Sequence, residues 1–325
     1  MKSKKTFHSK PKSNSSKKET SNFEKFYKNS DKKELKEFSS KQLERLPLRK
    51  RNEGTLESKI EVTKARDLKV NKDSKRKVNA PNNYANTSSE DFRLNKYIAH
   101  CGLCSRREAA TWVKAGKIQV NGQVMDNPSY IVQKTDKILY DGKSIRPEIH
   151  KVYILMNKPK NVVTTLSDEK DRRTVLDLLG DRVAERVYPV GRLDRNSTGL
   201  LLLTNDGDLA QKLAHPSHQI KKIYHVGLNK NLTKNDFDKI MQGLKLEDGF
   251  TKVDSMDYVD DKKDEVGIEI HSGKNRIIRR IFEQLDYEVK KLDRVYYGGL
   301  TKKNLPRGKF RFLLQQEVIM LKHFI

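Results

Sequence analysis

The chain has 325 residues and is strongly basic, with 68 Lys and Arg against 43 Asp and Glu and a formal charge of +25. No apolar run approaches the length of a membrane-spanning helix, and the Lys/Ser-rich start lacks the apolar core of a secretory signal. Two cysteines are too few for a disulfide-rich secreted scaffold, so we expect a cytoplasmic protein. So large a positive charge predicts a polyanionic partner, and nucleic acid is the first candidate.

Residues 1–90 differ in composition from the rest of the chain. They hold 25 Lys and Arg against 12 Asp and Glu, and about 22% of them are apolar, against about 40% afterwards. Because so little apolar surface cannot offset the entropy lost on folding, we predict a disordered basic extension. Two roles stay open for it: a tether that binds RNA phosphates without reading sequence, or a solubilising extension with no defined role.

Two helices and two hairpins are predicted after residue 90. Apolar residues recur at helical spacing over 94–101, and Ser105 with Glu108 matches a capping box that opens a second helix. Asn121-Gly122 and Asp141-Gly142 then separate short strands, as type I′ turns do.

This segment, residues 91–147, resembles the S4 RNA-binding domain over the run RLNKYIAHCGLCSRREAATWVKAGKIQVNGQVM. The resemblance implies that polar residues of the two helices contact RNA; without it they would be read as a solvated helix face. These residues are Arg93, Lys96, Ser105, Arg106, Arg107, Lys114 and Lys117.

Cys101 and Cys104 have the C-x-x-C spacing of some metal and redox sites. A structural zinc site needs four ligands, and the sequence offers no second pair. A redox pair is expected beside a βαβ pattern, which is absent here. The sequence therefore favours two buried or half-buried thiols.

A tight loop over 188–199 carries one carboxylate, Asp194, between Arg192 and Arg195. An apolar run of strand length, 200–204, follows it. Taken alone, Asp194 would be interpreted as a surface residue paired with one of its arginine neighbours.

The string GRLDRNSTGLLLLTNDGDLAQKLAHPS resembles the signature of the RsuA/RluB/RluE/RluF family of ribosomal RNA pseudouridine synthases, in which an S4 module precedes the catalytic domain. The resemblance covers nearly all of residues 91–325. It implies that Asp194 is the nucleophile. Pseudouridylation breaks the N1–C1′ bond of uridine and remakes it through C5. An ionised carboxylate near C1′ can attack that carbon or stabilise positive charge on it.

Two further residues are assigned to the chemistry by the same resemblance. The strand-like segment 222–226 matches a K-x-Y-x-V motif, which implies that Tyr224 stacks on the target base and helps to remove a proton. The amphipathic run 276–285 resembles the third motif of the family, which implies that Arg279 pairs with the catalytic Asp. We expect two N–H bonds from its guanidinium to the carboxylate. Ile277 stands where the family often has Gln or Glu.

We predict that five more basic residues bind RNA, with Arg294 facing it from a strand and Arg276 and Arg280 pointing away from the apolar stripe of their helix. The five are Arg192, Lys222, Arg276, Arg280 and Arg294. A short helix is also predicted over 174–179, before Gly180.

The predicted fold class is α+β: a disordered tail (1–90), an S4 module (91–147) and a pseudouridine synthase domain (151–325) with a mixed, mostly antiparallel sheet. We expect a monomer with no metal and no organic cofactor, acting on ribosomal RNA or a ribosomal assembly intermediate. The stretch DLAQKLAHPS favours large-subunit 23S rRNA. Two alternatives stay open: a 16S rRNA enzyme of the same chemistry, and a non-catalytic S4-type RNA-binding or ribosome-assembly factor.

Overall fold

The computed structural model describes residues 92–323, so the predictions for the basic extension fall outside the described residues. Its first part is a small α+β unit in which two helices cover a four-stranded antiparallel sheet of order β2-β1-β3-β4. The elements are α1 (Leu94–His100), α2 (Arg106–Lys114), β1 (Ile118–Val120), β2 (Gln123–Val124), β3 (Ile138–Tyr140) and β4 (Lys143–Ser144).

The local signals read from this part of the sequence are confirmed. Glu108 N donates to Ser105 Oγ (3.2 Å) and Ser105 N to Glu108 Oε2 (3.4 Å), which completes the capping box at the start of α2. Both residues of Asn121-Gly122 have positive φ, as do both of Asp141-Gly142. This is the backbone of a type I′ turn, which Gly and Asn tolerate best.

Cys101 and Cys104 are free thiols, half-buried and buried respectively, as predicted. Burial raises their pKa values to about 12 and about 11. Both thiols are therefore protonated and unreactive at neutral pH.

The second part is built on a nine-stranded mixed sheet, in which β11-β12-β8-β13-β7-β5-β15 lie in order, while β14 pairs with β13 and β6 pairs with β7. The elements are β5 (Tyr153–Lys158), β6 (Tyr188–Pro189), β7 (Thr198–Thr204), α3 (Gly207–Ala214), β8 (Lys222–Leu228), α4 (Lys234–Gln242), β9 (Leu244–Leu246), β10 (Gly249–Thr251), β11 (Ser255–Val259), β12 (Lys262–Ile270), α5 (Ile277–Glu283), β13 (Val289–Tyr297), β14 (Leu300–Thr301), β15 (Phe310–Phe312) and α6 (Gln315–His323). Within residues 92–323, no helix has the length and apolar character needed to cross a membrane.

The central strand β13 joins the two halves of this sheet. It pairs antiparallel with β8 and parallel with β7, and all other strand pairs described here are antiparallel. Gly199 of β7 lies opposite Arg294 of β13 with φ +108°, and a Cβ there would be 2.2 Å from the Arg294 carbonyl oxygen. Only glycine permits this approach, which brings β7 and β13 together beside the loop that carries Asp194.

The helix α5 follows its predicted pattern. Four apolar side chains, Ile277, Ile278, Ile281 and Phe282, are buried in the core between this helix and the sheet. Burial of this stripe fixes the rotation of α5 about its axis, so Arg279 and Arg280 point away from this core.

The prediction of a short helix over 174–179 is wrong: the segment forms hydrogen-bonded turns, followed by a 3₁₀ turn over Gly180–Arg182. Thr174 N donates to Asp177 Oδ2 (2.7 Å) and Asp177 N to Thr174 Oγ1 (3.3 Å). Six residues form little more than one helical turn, and the entropy cost of nucleating so short a helix leaves local side-chain bonds to decide the structure.

A buried ion network fixes β13 to the chain that follows it. The Asp293 carboxylate, 3% exposed, accepts two bonds from Arg307 (2.8 and 3.0 Å) and pairs with Lys302 (2.5 Å). Thr198 Oγ1, on β7, donates to the same carboxylate (2.9 Å). Burial by itself raises the pKa of Asp293, but the two cations outweigh it and hold this pKa at about 2.

We expect Asp293→Asn to lower the free energy of unfolding by about 3–5 kcal/mol at pH 7, because it leaves two cations without their carboxylate. The folded-state pKa of Asp293 lies below that of the unfolded chain, so its stabilisation is present above about pH 4 and is lost as pH falls toward 2. Urea titrations between pH 7 and 2, with the exposed Asp126→Asn as control, measure both effects. Equal stabilities for the two variants would contradict the prediction.

Candidate active site

A cavity of about 190 Å³ opens beside the parallel junction of β7 and β13. Four segments form its walls: the loop between β6 and β7, the start of β8 with the chain before it, the connection 271–276 with the start of α5, and β13. Asp194 and Tyr224, both predicted catalytic residues, line this cavity.

The loop between β6 and β7 presents Asp194 to the cavity. Leu193 is buried in the core below the loop, and Thr164 Oγ1 donates to its carbonyl oxygen (2.8 Å). Ser197 N donates to the Asp194 carbonyl (3.0 Å), which closes a turn. The backbone on both sides of Asp194 is thus held, while its side chain stays 39% exposed and accessible to a substrate.

Lys158, at the end of β5, holds the same loop from beneath. Its fully buried ammonium group donates to the backbone carbonyls of Asp194 (3.0 Å) and Ser197 (2.8 Å), with longer bonds to those of Pro159 and Arg195. Burial lowers the pKa of Lys158 to about 8. Sequence reasoning missed this residue, because a lysine before proline at a strand end carries no local sign of the carbonyls that it will meet.

We expect Lys158→Met to lower turnover about 100-fold, because the carbonyls around Asp194 lose their donor and the loop can shift. We also expect the free energy of unfolding to fall by about 1–3 kcal/mol, since buried acceptors are left unpaired. Single-turnover rates and urea denaturation measure the two effects. Lys160→Met, two residues away and exposed, is the matched control, and wild-type turnover in Lys158→Met would contradict this role.

Two arginines from the α5 region approach Asp194 Oδ2. Arg279 Nε lies 3.8 Å from it and Arg276 Nη1 3.9 Å from it, so both distances fit ion pairs rather than hydrogen bonds. The expected two-bond fork of Arg279 is therefore absent, because its Nη1 donates to Val289 O (2.8 Å) instead. Arg276, the residue before α5 with a φ of +49°, lies outside the apolar stripe of that helix and beside Asp194.

Tyr224 lies on β8 directly opposite Arg294 of β13. Residues paired in this way have side chains on the same face of a sheet, and here that face lines the cavity. Tyr224 is half-buried and lines the cavity.

The predicted RNA-binding residues of the catalytic region occupy different places. Arg192 is exposed at the cavity, whereas Arg280 is bound to Asp248 (2.9 Å) and to the Asn275 carbonyl. Arg294 is 4% exposed and lies in the wall of the cavity. Nothing in the alternation of β13 distinguishes an arginine that faces a cavity from one that faces solvent.

The residues predicted to bind RNA from the first unit are mostly exposed. Arg93, Arg106, Arg107, Lys114 and Lys117 are open to solvent. Two others have structural contacts: Ser105 Oγ caps α2, and Lys96 forms an ion pair with Asp208 of α3 (2.8 Å) that joins the two parts of the chain.

Comparison with known proteins places this geometry in context. Residues 152–284 match the family model described as RNA pseudouridylate synthase, and residues 92–138 match that of the S4 domain. Ribosomal large subunit pseudouridine synthase B of Bacillus subtilis (strain 168) is 39% identical over 234 residues, which cover 71% of this chain and 95% of that protein. An uncharacterized RNA pseudouridine synthase of Aquifex aeolicus (strain VF5) is 36% identical over 71% of this chain and 94% of its own. A crystal structure of a pseudouridylate synthase superposes with a TM-score of 0.52 at 27% identity, covering 70% of this chain and 99% of that one.

Proposed function

Because the chain belongs to the RNA pseudouridylate synthase family and is an enzyme that isomerises uridine in RNA, we propose that its target is a uridine of large-subunit 23S rRNA. The likeness to the Bacillus subtilis large-subunit enzyme over 95% of that protein carries this proposal. The exposed basic residues of the S4 domain, which lie just before α1, on α2 and just before β1, suit binding to RNA phosphates.

The proposed mechanism begins with a uridine turned out of its stack into the cavity, since an enzyme cannot reach its target atom while the base stays inside a duplex. Asp194 then attacks C1′, or stabilises positive charge there, as the N1–C1′ bond breaks. The uracil ring turns, a C5–C1′ bond forms, and the C5 proton leaves while N1 gains one. Atoms and electrons balance without a redox partner or a water molecule.

The roles of the neighbouring residues follow from their places. Tyr224 stacks on the base and helps to remove the C5 proton. Arg279, 12% exposed and 3.8 Å from Asp194 Oδ2, is the ion-pair partner of that carboxylate and offsets its charge during the reaction. Arg192 and Arg276, both exposed at the cavity, bind the phosphates on either side of the target.

Mapping pseudouridines in the ribosomal RNA of a deletion strain tests the target. We expect one 23S pseudouridine to disappear, to return with the wild-type gene and to stay absent with Asp194→Asn. A missing site in 16S rRNA would instead identify a small-subunit enzyme. Unchanged 23S and 16S maps would exclude both targets and favour an assembly factor that binds RNA without modifying it.

Removal of residues 1–90, which lie outside the described residues, tests their contribution to RNA binding. The segment carries 25 of the 68 Lys and Arg and about half of the net charge. We expect the truncated enzyme to keep its turnover but to bind RNA more weakly at low salt, with a shallower slope of log K against log salt. Filter binding from 50 to 300 mM salt measures that slope, and an unchanged slope would contradict an RNA tether.

A further inference from the structure

Two buried polar atoms without a hydrogen-bond partner lie in residues that line the cavity. They are Arg294 Nη2 and Ser197 Oγ, and the two residues are 4% and 2% exposed. A buried donor without an acceptor is costly, so such a pair in a cavity wall indicates a missing ligand.

The Arg294 guanidinium is fixed before any ligand arrives. Its Nε donates to the Leu200 carbonyl oxygen (2.7 Å), and its central carbon lies 4.6 Å from the centre of the Tyr297 ring. These contacts hold the group in one orientation and leave Nη2 available. Such preorganised donors are most effective where negative charge develops during a reaction.

A second cation lies beside Arg294. Lys222 donates to the backbone oxygens of Ile220 and His271 (both 2.8 Å), which leaves one of its three N–H groups. Burial, and then the charge of Arg294, lower the pKa of Lys222 to about 8. The carboxylate that acts on Lys222, Asp254, is itself bound to His271 Nδ1 (2.8 Å). Across residues 92–323, neither cation has a carboxylate within the 4 Å of an ion pair.

We propose that Arg294, assisted by Lys222, stabilises the uracil anion released when the N1–C1′ bond breaks, by donating to the ring oxygens of the base. This inference rests on the proposed function. The electron pair of the N1–C1′ bond stays on N1 and is delocalised onto O2 and O4. The positive carbon C1′ is bonded or paired to Asp194 at that stage.

The symmetry of uracil lets one set of donors serve both halves of the reaction. Rotation about the N3–C6 axis exchanges N1 with C5, and at the same time exchanges O2 with O4. A donor bound to one ring oxygen therefore meets the other oxygen after the turn. Ser197 Oγ can donate to a ring oxygen or accept from N3–H in either orientation. The site thus retains the free base while C5 is brought to C1′.

The position of Arg294 favours the base over a phosphate group. Arg294 pairs with Tyr224, the stacking residue, so both side chains are on the face where the ring lies. The phosphates of a flipped nucleotide remain at the entrance, where Arg192 and Arg276 are exposed. The acceptor oxygens that can reach a buried guanidinium belong to uracil.

The test compares Arg294→Met with wild type in single turnover, on RNA that carries uridine or 5-fluorouridine at the target. Methionine keeps the contact with Tyr297 but removes every donor. Because fluorine makes the departing base a weaker base, it needs less stabilisation. We expect Arg294→Met to slow conversion of uridine about 10²- to 10³-fold. We expect the factor by which it slows cleavage of the N1–C1′ bond of 5-fluorouridine to be at least about ten times smaller.

Other results separate the alternatives. Equal losses on both substrates would overturn the role in leaving-group stabilisation. Weaker RNA binding with a reduced salt slope and an unchanged rate would make Arg294 a phosphate contact. If circular dichroism shows that Arg294→Met does not fold, Arg294→Lys is used instead: it keeps the charge but its shorter side chain moves the donors away, so we expect a smaller loss on uridine that still exceeds the loss on 5-fluorouridine, and equal losses would again overturn the role. A wild-type enzyme inactive on every ribosomal RNA would overturn the proposed function and this inference together, whereas an active wild type with a fully active Arg294→Met overturns only the inference.

Discussion

Asp194→Asn is expected to reduce pseudouridine formation at least about 10⁴-fold while RNA affinity changes less than threefold. Asparagine has nearly the shape of aspartate but lacks the charge that C1′ chemistry needs. The backbone of the loop is held by Lys158 and by the Ser197 amide, so the substitution leaves the loop in place. Single-turnover release of tritium from C5 of labelled uridine measures the rate, and filter binding measures the affinity.

The control for this substitution is Asp181→Asn, an exposed carboxylate of the same domain. It is expected to match wild type in both assays. Turnover retained by purified Asp194→Asn, after mass spectrometry has excluded deamidation back to aspartate, would remove Asp194 from the mechanism.

Arg279→Leu is expected to lower the single-turnover rate about 10²- to 10³-fold with little change in RNA affinity. Its guanidinium is only 12% exposed, so the field that it exerts on Asp194 is weakly screened by water. Arg279→Lys should retain more activity, because the charge survives while the bond to the Val289 carbonyl is weakened.

Arg276→Leu is the matched comparison, since Arg276 lies almost as close to Asp194 (3.9 Å) but is 46% exposed. Solvent and salt screen an exposed pair, so its loss is expected to weaken RNA binding more than the chemical step. Melting curves exclude misfolding in both variants. A rate loss for Arg276→Leu equal to that for Arg279→Leu would contradict the distinction drawn from exposure.

The features that sequence predicted well are those decided within a few residues. The Ser105–Glu108 capping box, the two type I′ turns and the apolar stripe of α5 depend on local bonds and on helical spacing, so their residues are visible as patterns. The fold class, the S4 module and the family followed from longer motifs, and comparison with known proteins confirmed them.

The features that sequence did not predict depend on contacts between distant segments. Lys158 meets carbonyls about 36 residues away, and Arg294 donates to a carbonyl 94 residues away, so no local pattern marks either side chain. Lys96 was predicted to bind RNA, yet it bonds to Asp208 of another domain. The helix prediction for 174–179 was wrong for the opposite reason: hydrogen bonds of nearby side chains outweighed a weak helical pattern.

The place of β13 between β7 and β8 determines when this site can exist. Asp194 and Tyr224 lie beside strands that do not pair with each other, and the strand that joins them is supplied by residues 289–297, nearly the last part of the sheet to leave the ribosome. Until then β7 and β8 have open edges, and contacts of such sequence separation form slowly. The chain is therefore synthesised for most of its length as an inactive precursor: its S4 domain can fold and meet RNA early, but catalysis begins only when β13 has been inserted.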